Sequence, residues 1–463
     1  MLASRRLGAT KNMCQMQADT LEYIQHQLKT AFGLSKDTYH STQHLEIHGQ
    51  GQGSRAGPPT WVFVSSLLLD CMEKLTTGVT FTCPFQETTH HRHNDAFVDD
   101  VTGYANHFLA ELNGRNVVSR VIQTMQQDAT TWNNLLATSG GKLALHKCLY
   151  YILSWEWTDG QAIPIQPNDS YQSICLPSDD TTNVPIKQLP CHISHRTLGQ
   201  MKSPSNNQSA QLQLMMKRSR TWLNAIQESA LTRTEAQAAY SAIWFPSLSY
   251  GLGTTNLTQQ ELDKIQKPII NYILPKLGYN RHFPRAVVYG SPRFGGLNFK
   301  HLYTDQGIKH VTHFVKHYRT NNSIGQLLRI STRWIRLVAG FSFCPLSRPQ
   351  TNYHHIGDPW FQTTMRFLAE CNASIETCDN TPVFSRENDS CLMEDFMLFP
   401  LTKTKMIWLN QCRLYLHVTS LSDITTADGT SILRNCWDGS VPVDSPLLWP
   451  IQAKPCTKAW QTW

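Results

Sequence analysis

The sequence predicts an α+β fold, and three observations carry that prediction. A short apolar run, Ala96-Phe97-Val98, meets two adjacent carboxylates, Asp99 and Asp100, and a second run with Val101 and Tyr104 follows at once. It reads as two strands joined by a tight turn, because Asp is poor in strands and good in turns. Residues 115–139 place Val118, Val121, Ile122, Met125, Trp132, Leu135 and Leu136 on one helical face. Helical period also governs 205–277, where Thr232-x-x-Glu235 and Thr258-x-x-Glu261 form capping boxes that satisfy free N–H groups at a helix start.

A chain of 463 residues has room for two to four domains. Hydrophobic residues at 41% are enough for real cores, and charged residues at 16% fall below the usual quarter, which excludes a disordered chain. The net charge of +7 suits a polyanionic partner. Thirteen cysteines at irregular spacing, with no C-x-x-C pair, argue against a disulfide framework or a zinc module. They point to a reducing, intracellular compartment. The first thirty residues lack the apolar core of a signal peptide, and the most apolar stretch, Trp61 to Met72, is too short to span a bilayer. No membrane partner is expected.

In chain order, residues 11–32 carry Met13, Met16, Leu21, Ile24, Leu28 and Phe32 at helical spacing, with Gly33 as a stop. His40, His44 and His48 are evenly spaced, but their Thr, Ser and Gly neighbours favour a strand or loop over a metal-bearing helix. Gly49 to Pro59 is a glycine-rich turn feeding the apolar run Trp61 to Leu75. Glycines allow close backbone approach, and a helix N-terminus attracts phosphate. It is not a P-loop, because no Gly-Lys-Ser/Thr closes it. Thr89 to His93 reads as an exposed approach to the first strand of the Asp hairpin. Gly140-Gly141 end the long helix, and Leu143 to Tyr151 reads as a strand. Short β-like runs follow at Trp155–Trp157, Tyr171–Leu176 and Val184–Leu189. One helix from about 205 contains Leu212, Met215, Met216, Trp222 and Ile226, and two more follow to form a small bundle. Residues 278–299 are irregular, with Arg281, Arg285, Arg293 and Gly295-Gly296. The remainder, 300–463, alternates helical stretches with polar loops. Its Trp-rich end is expected to be core.

A Gly-Gln-Gly turn into a helix, a Phe-x-Asp-Asp hairpin, a helix and then Gly-Gly-x-Leu-x-Leu-x-Lys-Cys occur here in that order. Together they resemble a reverse transcriptase, most closely that of the non-LTR (LINE-like) retrotransposons. The resemblance implies three regions. Residues 1–204 would be partial fingers and palm, an antiparallel sheet with packed helices and its first strand missing. Residues 205–299 would be a helical thumb, and 300–463 an unassigned, mostly helical C-terminal region.

The roles the resemblance implies are these. Asp99 and Asp100 would be the catalytic carboxylates and metal ligands. Gln52, Gly53, Arg55 and Phe97 would border the incoming nucleotide. Lys147 matches the lysine of the following motif, a proton donor or phosphate contact, with an exposed strand lysine as the plain alternative. Leu198-Gly199 matches the primer-grip hairpin, and Lys217, Arg218 and Arg220 would track the primer and template backbone. The implied activity is RNA-directed DNA polymerisation. A primer 3′-hydroxyl attacks a deoxynucleoside triphosphate at a site of two magnesium ions, with manganese as the alternative. An RNA template and a DNA primer would be the partners, in an intracellular ribonucleoprotein of the nucleus or cytoplasm.

The chain departs from that family in one respect. The acidic motif expected upstream of the glycine-rich turn, Asp-x-x-x-x-(Phe/Tyr)-Asp, is missing. Only Asp19 and Asp37 precede Gly53. The expectation is therefore an N-terminally truncated polymerase domain that binds metal poorly and polymerises feebly or not at all. Two other readings stay open: a nucleic-acid-binding relic without chemistry, and an unrelated hydrolase whose Asp pair holds metal.

Overall fold

A computed structural model of the chain describes residues 5, 8–23, 25–31, 33–40, 57–106, 114–158, 161–164, 173–178, 182–350, 353, 355–377 and 386–463. It is a mixed helix and strand protein, and every sheet among the described residues has two strands. The chain forms two compact units. The first comprises Met1–Thr80, His91–Ser154 and Pro167–Leu189, the second Phe81–His90, Trp155–Gln166 and Pro190–Trp463. The sequence-based boundaries at 204/205 and 299/300 both fall inside the second unit.

The first unit opens with helix α1 (Lys11–Tyr23) and the hairpin β1 (His26–Thr30) and β2 (Gly33–Tyr39). The single helix expected over 11–32 is thus corrected to a helix and a hairpin. Gly33 is not a helix stop but the first residue of β2, paired with Thr30, where its φ of 121° suits a residue without Cβ. Helix α2 (Gly57–Leu75) starts with Pro58 and Pro59 in its first turn, where a missing N–H costs nothing. Then come β3 (Val79–Thr82), β4 (Thr89–Arg92), β5 (Asn94–Phe97) and β6 (Asp100–Gly103).

Helix α3 (Gly114–Thr138) bears out the long amphipathic reading. It buries Val118, Ile122 and Leu136, and α2 buries Leu68 and Met72. Val118 and Ile122, like Leu68 and Met72, lie four residues apart on one helical face, and Leu136 lies five whole turns beyond Val118 on the same face. Gly140 takes φ +78°, its N–H bonding to Ala137 O, and Gly141 N–H closes onto Leu136 O at 3.0 Å. This left-handed end is why the Gly pair stops the helix.

The strand expected over Leu143–Tyr151 is largely a correction. Leu145–Lys147 is a 3-10 turn, and only β7 (Leu149–Tyr150) is paired. Its partner is the parallel β12 (Lys187–Gln188). Alternation gives a strand only where a neighbour takes its hydrogen bonds, and here two residues find one. Strands β8 (Trp155–Thr158) and β9 (Gln161–Pro164) form an antiparallel pair in the second unit, and β10 (Cys175–Pro177) with β11 (Asn183–Pro185) another in the first. The Gln126 side chain of α3 bonds both Cys175 N–H and Cys175 O at 2.7 Å, completing the exposed edge of β10.

The second unit continues with β13 (His195–Thr197), β14 (Gln200–Lys202), α4 (Ser209–Glu228) and α5 (Arg233–Ala238). Both capping boxes form as read. Thr232 N–H donates to Glu235 Oε2 at 2.8 Å, and Thr258 N–H to Glu261 Oε2 at 2.8 Å. The helix after Thr232 does not run on as α-helix. Ala239–Trp244 is a π-turn, followed by α6 (Phe245–Ser249), whose Pro246 offers no N–H to the α ladder. Helix α7 (Gln259–Lys276) buries Ile265, Ile269, Ile270, Ile273 and Leu274 at the centre of the core.

Helices α8 (Arg285–Tyr289), α9 (Leu302–Tyr318), α10 (Ser323–Ala339), α11 (Pro359–Glu370), α12 (Leu392–Phe396), α13 (Lys403–Leu416), α14 (Leu421–Ile424), α15 (Arg434–Asp438) and α16 (Thr457–Thr462) complete it. Arg413 is fully buried and donates to Leu337 O, Val338 O, Asn410 Oδ1 and Val418 O at 2.7–3.2 Å. It thereby satisfies carbonyls freed at the end of α10. Of the C-terminal tryptophans, Trp449, Trp460 and Trp463 pack on His417, Tyr415 and Phe396, whereas Trp437 is 73% exposed. Trp460 and Trp463 are half-buried against a core cluster, so the core reading holds for two of the four.

Thr89–His93 is also more than an exposed approach. The tip of the β3–β4 hairpin belongs to the second unit. There Trp334 Nε1 donates to Thr82 O at 2.8 Å, Arg333 Nη1 to Thr88 Oγ1 at 2.9 Å and Leu448 N–H to Pro84 O at 2.8 Å. Every described cysteine is free, and no described helix is long and apolar enough to cross a membrane.

Candidate functional site

The Asp pair stands on the hairpin that the sequence predicts. Strands β5 and β6 are antiparallel, in the register Asn94↔Gly103, Asp95↔Thr102, Ala96↔Val101 and Phe97↔Asp100. The two-residue turn is Val98-Asp99, so Asp99 sits in the turn and Asp100 opens the second strand. Val98 has φ +57°, an unfavourable setting for a β-branched residue. The Trp61 indole N–H donates to Val98 O and holds that strained residue in place. Trp61 lies in the first turns of α2, the helix that follows the glycine-rich segment. One hydrogen bond therefore joins two of the three ordered motifs.

The other end of the hairpin is pinned separately. Asp95 accepts from the Arg92 guanidinium and, at 2.6 Å, from the Tyr104 hydroxyl. Burial, followed by the bond to Asp95, pushes the Tyr104 phenol up to about 12. It is a donor throughout the physiological range. Next to it, Gly78 (φ +63°) leaves space that a Cβ would take from Arg92 O at 2.7 Å and His93 Nδ1 at 3.0 Å. Burial, helped by neighbouring His91, lowers the pKa of His93.

At the tip, Asp99, Asp100, Phe97 and Val98 are all exposed, Phe97 by 58%. Two carboxylates give the hard oxygen donors that magnesium takes. A pair of ions about 3.5–4 Å apart needs further bridging ligands. Among the described residues no three His, Cys, Asp or Glu side chains converge on a metal-sized space. Among the described residues, Asp99 and Asp100 therefore stand as a pair of carboxylates without a third such side chain beside them.

The remaining expected residues divide as follows. Gln52, Gly53 and Arg55 lie outside the described residues, as do His44 and His48. Lys147 is exposed on its 3-10 turn rather than on a strand. In the second unit, Leu198 and Gly199 form the β13–β14 turn, both in the left-handed region at φ +49° and +80°. Arg218 Nη2 donates to Gly199 O at 3.3 Å, which brings two of the predicted strand-contacting residues together. Gln211 fixes the same hairpin, accepting from Met201 N–H at 2.8 Å and donating to Gln200 Oε1 at 2.6 Å. Lys217 and Arg220 are exposed on α4.

Sequence reading missed Trp61, Asp95, Tyr104 and Gln211. The first three carry no spacing signal, because their partners are set by the hairpin register. Gln211 is a polar residue on an apolar helical face, and that was a usable sign. No protein-family model matches the chain, and no curated protein matches it.

Proposed function

We propose that this chain is a reverse-transcriptase-derived polypeptide of a non-LTR retroelement, with RNA-directed DNA polymerisation as its chemistry. The observation that carries the reading is the exposed Phe97-Val98-Asp99-Asp100 turn, tied by Trp61 to the helix after the glycine-rich segment. In this reading β5 and β6 belong to a palm and α4 to α7 to a thumb. The primer 3′-hydroxyl attacks the α-phosphate of a deoxynucleotide, the template is read by base pairing, and protein groups supply position. Magnesium, with manganese as its substitute, would supply charge neutralisation at Asp99 and Asp100. RNA template, DNA primer and deoxynucleoside triphosphates are the partners, in an intracellular ribonucleoprotein.

A second reading is favoured by one specific observation, the two-carboxylate donor set. It is a relic that keeps strand binding and has lost nucleotide addition. Primer extension on an RNA template by the purified chain, with magnesium and then manganese, separates the two. Extension that Asp99→Asn abolishes supports the polymerase. Salt-sensitive RNA binding without any extension, unchanged in Asp99→Asn, supports the relic. Phosphodiester cleavage without nucleotide addition overturns both.

A further inference from the structure

A second surface lies on α7 and the segment 278–299 that follows it, far along the chain from the Asp pair, in the thumb region of the polymerase reading, which gives none of these residues a role. Between Asp263 and Asp305 there is no Asp or Glu, while seven Lys or Arg occur: Lys264, Lys267, Lys276, Arg281, Arg285, Arg293 and Lys300. That stretch alone matches the +7 net charge of the whole chain. Folding keeps the positive charge at the surface. Lys264 and Lys267 are exposed on one face of α7, with Asn271 in line on that face. Arg285 Nη2 donates to Asn271 Oδ1 at 2.6 Å and to Arg281 O at 3.1 Å, which joins the loop to the helix. The bounding Asp263 is already engaged by His301 Nε2 at 3.0 Å.

An aromatic ring is held out from this basic surface. Phe294 is 83% exposed, which is unusual for so large an apolar side chain. Its turn is rigid. Ser291 caps the 3-10 segment Pro292–Phe294, and Gly295 closes it at φ +77°. Gly296 lies so close to Gly290 that a Cβ would meet Gly290 O at 2.1 Å. Leu297, Asn298 and Phe299 then bond Val287 O, Gly290 O and Val288 O at 2.9–3.0 Å. Arg293 lies over the Phe294 ring at 5.8 Å. In the same unit, Arg233, Thr234, Gln237, Leu277, Tyr279, Leu297 and Phe299 line a small open pocket of mixed polar and apolar character.

An exposed ring on a capped turn, with a guanidinium over it and no carboxylate along the chain between Asp263 and Asp305, fits an unpaired base stacked on a protein and a phosphate backbone beside it. Duplex DNA offers no free base face. We propose that residues 264–300 bind single-stranded nucleic acid, with Phe294 as the stacking platform and Arg281 and Arg293 as phosphate contacts. This surface requires neither metal nor nucleotide addition.

The test is fluorescence anisotropy of the full chain with labelled oligo(U), oligo(dT) and a blunt DNA duplex. Phe294→Ala is expected to weaken both single strands about tenfold, with the duplex affinity and the salt slope unchanged. Arg293→Gln lowers the salt slope for single strands by about 0.7. Phe294→Trp retains tight binding. Because Phe294 is exposed, circular dichroism melts of the variants match the parent. Single-strand affinity unchanged in Phe294→Ala overturns the proposal, whatever the outcome of primer extension. Equal weakening of duplex and single strands also overturns it, since stacking would then not be the cause.

Discussion

At the scale of single residues, burial decides chemistry. His310 is fully buried, its Nε2 2.8 Å from Thr255 O and its ring against Trp360. A carbonyl can only accept, so Nε2 carries a proton. Burial, the largest cause, lowers its pKa from 6.5 to about 4. The folded pKa lies below the unfolded one, so the unfolded chain takes up the proton first. The contribution is fully present above pH 6.5 and is lost as the pH falls toward about 4. By pH 4 the loss approaches roughly 3 kcal/mol. Urea unfolding of the full chain at pH 7 and pH 4.5 reads it, and His310→Gln is expected to flatten the difference.

At the scale of elements, the Asp hairpin shows what local sequence can and cannot specify. Its strands, its turn and the place of Asp99 and Asp100 were all legible, because turn chemistry and alternation are short-range. The Val98 conformation was not legible, since no propensity rule puts a β-branched residue at positive φ. It is held there by the register and by Trp61. Val98→Asn is expected to stabilise the first unit by about 1 kcal/mol, because Asn tolerates that region. Thermal melts check it, and a lower midpoint would contradict the strain. The misread elements share one cause. Residues 11–32 have a helical pattern, yet from His26 the chain enters β1, because β2 folds back to pair with it. Residues 143–148 alternate as a strand should, yet among the described residues no strand pairs with them. The capping boxes were read correctly because both partners lie within four residues.

At the scale of the whole molecule, the division into units depends on contacts that sequence order hides. Phe81–His90 and Trp155–Gln166 precede the expected boundary but belong to the second unit. The hydrogen bonds from Trp334, Arg333 and Leu448 to the 82–88 tip show why. A fragment 190–463 is therefore expected to melt below the second unit of the intact chain, since it leaves those donors without their acceptors. A peptide covering 78–93 added in excess raises its midpoint by linkage. Scanning calorimetry of the fragment, with and without the peptide, reads both effects.

By itself the sequence determined the chemistry-bearing residues and the local elements: the Asp turn, the long amphipathic helix, the Gly-Gly stop and the two capped helices. Each rests on interactions within a few positions, which a linear pattern records. Tertiary structure alone decided that Trp61 anchors the Asp turn and that Asp95 and Tyr104 pin its base. It also decided that Arg218 meets Gly199 and that Phe294 stands exposed with the Arg293 guanidinium over its ring. Those pairings join residues between nine and 37 apart, or depend on what packs above a ring. Only a folded backbone sets such distances.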